Sequence, residues 1–216
     1  MDNILDFSAC IVAGGDNLRP RVEQARTLYS EMSEEYFNYI LAKEDKALSE
    51  SACGFLLLDN LLSKHGIEKN TLVISRNGDG RPCIINRRDI DFSISHSEGA
   101  AICYLSTGKD AKIGCDIQRA RSYSNEKMAS LAKIFMSEND YSEFLKNTDE
   151  KHFYTVWTRR EAYIKAEGGD VFADLRGVEL NGDRYRTGVI TACGNRYYYS
   201  VYTTINTRRT NESIST

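Results

Sequence analysis

The segment IGCDIQ, Ile113 to Gln118, alternates with a period of two, so as a strand it sets Ile113, Cys115 and Ile117 on one face and Gly114, Asp116 and Gln118 on the other. One carboxylate and one amide oxygen on a shared face suit a hard, oxygen-seeking cation such as magnesium, with manganese as an alternative occupant. Further on, VWTRREAYIKAEGG reads as a helix in which Trp157, Glu161, Lys165 and Gly168 fall at spacings of four, four and three, along one face. Asp116 and Glu161 together offer the two carboxylates that magnesium commonly takes, and Lys165 adds a positive charge for a phosphate ester. Taken singly, each has a plainer alternative: a half-solvated strand face for Asp116 and Gln118, an ordinary surface ion pair for Glu161 and Lys165.

Two other places could meet an anion. DFSISHSEG, Asp91 to Gly99, sets Ser95, His96 and Ser97 where a strand is expected to end and free its backbone donors, with SHSEG as the turn. In GDGRP, Arg81 is held between Gly80 and Pro82, a guanidinium on a stiff loop. A histidine at a strand end is also a common structural residue, since imidazoles find hydrogen bonds readily there.

These side chains need elements to position them. An apolar segment, Ile4 to Val12, precedes helices expected at Glu34 to Lys46 and Ser51 to Lys64, the second apolar over half its circumference and stopped by Gly66. Strands are expected at Leu72 to Ser75, Asp91 to Ile94, Ala101 to Leu105 and Lys112 to Ile117. Helices follow at Asn125 to Phe135, Glu138 to Lys146, with Ser137 as N-cap, and Lys151 to Glu167. A meander closes the chain: Val178 to Leu180, an Asn181-Gly182 hairpin, Tyr185 to Ala192, a Gly194-Asn195 turn and Arg196 to Ile205, before a loose tail. Tyr197, Tyr198 and Tyr199 alternate faces and read as sheet packing rather than as a base-stacking platform.

Composition bounds the class. A chain of 216 residues with 41% hydrophobic and 27% charged residues and only two prolines can bury a sizeable core. A formal charge of -3 leaves no global basic field, which disfavours a nucleic-acid partner. With no membrane-length apolar run and no basic, apolar leader, the expectation is a soluble cytoplasmic protein. The six cysteines form no CxxC pair, and most read as small buried apolar residues.

In order along the chain, GRPCI at Gly80, FSISHS at Phe92, IGCDIQ at Ile113 and WTRREAYIKAEGG at Trp157 resemble the 4'-phosphopantetheinyl transferases, in particular the longer, monomeric type that serves surfactin and other carrier-dependent synthases. The resemblance covers about residues 30 to 180. It implies an α+β fold of two similar halves about a pseudo-twofold axis, residues 1–110 and 111–216, with coenzyme A in the cleft between them. It implies magnesium on Asp116 and Glu161, and Lys165 beside the pyrophosphate. Arg81, Ser95 and His96 would then lie at the adenosine phosphate end, and Lys43 and Lys46 are the basic residues available upstream for the 3'-phosphate.

On that resemblance the expected reaction moves phosphopantetheine from coenzyme A to a serine of an acyl or peptidyl carrier protein, with Glu161 as base, kept ionised by Lys165. The exposed edge of the segment after the metal strand, with Tyr123, Lys127 and Lys133, would receive the carrier's acidic helix. One departure stands out: many relatives have a second acid two residues after the strand aspartate, and here that position is Gln118. A magnesium-dependent phosphohydrolase of coenzyme A and a non-catalytic module binding coenzyme A or a carrier are the competing readings.

Overall fold

The computed structural model describes residues 4–11, 45–168, 175–177, 180 and 182–204. Among the described residues the strands and α-helices are β1 (Leu5–Ile11), α1 (Asp45–Lys64), β2 (Ile74–Arg76), β3 (Pro82–Ile84), β4 (Ile90–Ser97), β5 (Ala100–Thr107), β6 (Ile113–Arg119), α2 (Asn125–Phe135), α3 (Glu138–Lys146), α4 (Glu150–Glu167), β7 (Tyr185–Ala192) and β8 (Asn195–Thr203). All strand pairs are antiparallel, in sheets ordered β1-β5-β4, β2-β3 and β6-β8-β7, so the class is α+β.

The layering follows from side-chain alternation. On β5, Ala101, Cys103 and Leu105 pack under Phe55, Leu58, Leu61 and Leu62 of α1. The alternate residues, Ala100, Ile102 and Tyr104, meet Ile113, Cys115 and Ile117 of β6 and Tyr197, Tyr199 and Val201 of β8 in a second core between the two sheets. On the far face of β6 and β8 lies α4, whose apolar side joins α2, α3 and Tyr198. The three tyrosines are thus all buried, with Tyr198 stacked on Tyr154 at 5.1 Å, as expected for sheet packing. Cys103 and Cys115 are fully buried, and burial pushes both thiols up, Cys115 to about 11.

Helix starts obey their caps. Ser124, Ser137 and Asp149 accept the N–H groups of Lys127, Asp140 and His152 and fix the starts of α2, α3 and α4. Gly168, at φ 83°, ends α4 with its N–H on the Ile164 carbonyl, in a backbone region favouring glycine.

Several expected boundaries shift. The helix expected from Ser51 begins by Asp45, and the helix expected from Glu34 falls outside the described residues up to Asp45. The strand expected to stop at Ile94 runs on to Ser97, because Ser95, His96 and Ser97 pair with Ile102, Ala101 and Ala100; only Glu98 and Gly99, both at positive φ, form the turn. The last hairpin turns on Cys193 and Gly194 rather than on Gly194 and Asn195, again with positive φ at both. Gly182 opens a 3₁₀ turn, Gly182–Arg184, while Val178, Asn181 and the tail lie outside the described residues. Among the described residues no helix is long and apolar enough to cross a membrane.

Candidate active site

Gly114, Asp116 and Gln118 do share a face of β6, and that face looks onto α4. Close approach is possible because Gly114 has no side chain: a Cβ there would fall 1.9 Å from the Ala162 carbonyl oxygen and 2.7 Å from the Ala166 nitrogen. Two residues along, Asp116 is 1% exposed and meets the polar side of α4.

Its carboxylate is held by three donors. Lys165 Nζ reaches Oδ1 at 2.6 Å, Ser95 Oγ donates to the same oxygen at 2.9 Å, and Gln118 Nε2 donates to Oδ2 at 3.1 Å. Lys165 also donates to Ser95 Oγ at 3.1 Å, and that oxygen accepts the Ile117 N–H at 3.3 Å. Glu161 stands one helical turn before Lys165, its Oε2 3.9 Å from Nζ, and its Oε1 accepts the indole N–H of Trp157.

Charge follows geometry. Burial, then the nearby Asp116 charge, raise the Glu161 carboxyl to about 7, against the opposing pull of Lys165 and Trp157. The expectation that Lys165 keeps Glu161 ionised therefore needs correcting, since the ammonium lies far closer to Asp116. Burial would lower the Lys165 pKa, but Asp116 and then Glu161 outweigh it and the value is raised.

Glu161, raised by the charge of Asp116 nearby, forms with that carboxylate and the Gln118 amide a donor set that fits a divalent cation taking one or two protein carboxylates. Among the described residues no group of three or more His, Cys, Asp or Glu side chains is placed to hold a metal. Gln118 presents its amide nitrogen to Asp116, so it now orients that carboxylate.

The remaining candidates fall in different places. Ser95 joins the carboxylate cluster itself. Arg81, 16% exposed, is turned inward: Nη1 donates to the Lys165 carbonyl at 2.6 Å and Nη2 to Asp91 Oδ1 at 2.8 Å, fastening the β2–β3 loop to α4. His96 Nδ1 lies 3.0 Å from Oε2 of Glu50, whose other oxygen accepts the Gly99 N–H at 2.9 Å. Lys43 and the side chain of Lys46 lie outside the described residues. Sequence reasoning missed Glu50 and Asp91; for Asp91 the signal was there, a polar residue at every second position from Asp91 to Ser97.

Residues 112–214, the stretch holding Asp116, Gln118, Glu161 and Lys165, match the family model of the 4'-phosphopantetheinyl transferase superfamily. Among relatives, the 4'-phosphopantetheinyl transferase Sfp of Bacillus subtilis (strain 168) is 34% identical over 119 residues, 53% of this chain and 50% of that protein. The 4'-phosphopantetheinyl transferase HetI of Nostoc sp. is 31% identical over 121 residues, 53% and 49% of the two chains. The transferase gsp of Aneurinibacillus migulanus is 26% identical over 161 residues, 73% and 63%. The chain spans about half the length of the first two relatives.

Proposed function

We propose that this protein transfers the 4'-phosphopantetheine group of coenzyme A to a serine hydroxyl of an acyl or peptidyl carrier protein. The serine oxygen forms a bond to the β-phosphorus, the pyrophosphate P–O bond breaks, and 3',5'-ADP leaves with the electron pair. The observation that carries this reading is the meeting of Asp116 from β6 with Glu161 and Lys165 from α4, within a stretch that matches the superfamily.

Glu161 accepts the serine proton. Without metal, burial and the Asp116 charge raise its carboxyl to about 7, towards the range in which a base works near neutral pH. Lys165, held by Asp116, places its ammonium against the charge that develops on the 5'-phosphate of the leaving 3',5'-ADP. Asp116 and Glu161 are the carboxylates that would hold magnesium, which when bound supplies neutralisation of the same charge. Arg81, Ser95 and His96 remain the residues we assign to the adenosine phosphate end of coenzyme A, Arg81 by stiffening the loop and His96 by its partly exposed ring. Residues 1–110 and 111–216 are taken as the two halves of the cleft.

The carrier's acidic helix is assigned to α2, where Lys127 and Lys133 are exposed beside Ile134, itself 60% exposed. The test is the intact mass of an apo carrier protein after incubation with the full chain, coenzyme A and magnesium. A gain of one phosphopantetheine, abolished by Glu161→Ala and by chelator, supports the reading. Release of free phosphopantetheine without carrier modification moves it to a phosphohydrolase, and binding of coenzyme A without either product moves it to a binding module.

A further inference from the structure

The chain has a single tryptophan, Trp157, one helical turn before Glu161. Its half-buried ring packs on Phe135, the last residue of α2, at 5.2 Å and on Phe153 at 5.7 Å, against the apolar core that joins α2, α3 and α4. Both ring contacts restrict the indole, and its N–H points at Oε1 of Glu161. Packing alone would be served by a phenylalanine, which has no N–H to donate.

We propose that Trp157 is a positioning residue: it ties down Oε1 of Glu161 and so presents the other oxygen, Oε2, to the cleft shared with Asp116 and Lys165. Glu161 then meets its substrate with one oxygen in one orientation. A carboxylate free to rotate about its side chain would lose part of the alignment on which proton transfer depends, at a cost of roughly 10–100-fold in rate. The inference rests on the role given to Glu161 above.

One tryptophan gives one indole N–H cross-peak in a ¹⁵N-correlated spectrum of the full chain, which tests the bond without any activity. The expected result is a cross-peak at the downfield position of a strong hydrogen bond, protected from solvent exchange, that moves upfield in Glu161→Ala. Trp157→Phe is expected to lower kcat by roughly tenfold or more while KM for coenzyme A stays within about twofold. An indole peak unchanged by Glu161→Ala, or a folded Trp157→Phe protein with full kcat, would overturn the proposal. If Trp157→Phe does not fold, the indole peak decides. If the wild-type chain modifies no carrier, the transferase reading fails, and the indole peak still decides whether Trp157 holds Glu161.

Discussion

The Ser95 hydroxyl donates to Asp116 across 2.9 Å, and that contact belongs to a longer ladder between β4 and β6. Asp91 Oδ2 accepts the N–H of Ile113 at 2.9 Å, Ser93 Oγ that of Cys115 at 3.0 Å, Ser95 Oγ that of Ile117 at 3.3 Å and Ser97 Oγ that of Arg119 at 3.1 Å, each pair 22 residues apart. Side chains of β4 thus take the place of a neighbouring strand along the edge of β6 that faces away from β8. They satisfy amides that would otherwise stand open and fix the two sheets in one register. Asp116 is delivered to Ser95 and Lys165 by that register.

Ser95→Ala and Ser93→Ala separate the two jobs of the ladder. Each leaves one buried β6 amide without its acceptor, so each is expected to destabilise by about 1–3 kcal/mol in urea unfolding. Only Ser95 also touches Asp116 and Lys165, so only Ser95→Ala is expected to slow carrier modification beyond what the lost stability explains. Equal slowing by Ser93→Ala would assign the effect to sheet register instead.

Gln118→Glu should act with opposite signs on the metal-free and metal-bound protein. Without metal it replaces the Nε2 donor to Asp116 by a like charge, so the unfolding midpoint should fall. With magnesium the added carboxylate offers an anionic ligand, and calorimetric titration should show tighter binding. Unchanged affinity would place residue 118 outside the ligand set.

Glu161 gives a pH signature in chelator. Its folded pKa, about 7, lies above the ordinary value of 4.5, so the folded state holds the extra proton in that interval. Stability is therefore full below about pH 4.5, falls as pH rises towards 7 and is flat above it, by at most about 3 kcal/mol. The raised Lys165 value acts only near and above its ordinary 10.5, well clear of this window. Subtracting the Glu161→Gln urea profile from wild type between pH 4.5 and 8 should isolate the fall; coincident slopes would show that Glu161 is not strained by its surroundings.

How much of this was legible in the sequence depended on range. The start of α3 follows from Ser137, whose cap acts within three residues, and the face of β6 follows from strict alternation. The hydrogen-bond partners of Ser93 and Ser97, and the Glu50 contact to His96, were not legible, because they join segments tens of residues apart and no local pattern names the partner. The Glu161 carboxyl was misjudged for a related reason. Helical spacing put Lys165 beside it, but tertiary packing brought in both Asp116, which takes the ammonium, and the burial that raises the pKa.

Gly114 is the residue on which the site distances turn. Its missing Cβ lets β6 press against the α4 backbone at Ala162 and Ala166, and the same closeness brings Lys165 within 2.6 Å of Asp116 two residues further along. In Gly114→Ala the clash is with main-chain atoms of a capped helix that cannot rotate away, so α4 must move outward. The expected result is a loss of more than about 3 kcal/mol and a transfer rate at background in whatever folds. Gly188→Ala is the matched control: there the nearest atoms to a new Cβ belong to the Tyr199 side chain rather than to main chain, so the loss should be smaller with the site intact. Measuring both by urea unfolding and carrier mass separates crowding in general from the strand–helix spacing that assembles Asp116, Glu161 and Lys165. A Gly114→Ala protein with wild-type stability and rate would show that this spacing does not set the chemistry.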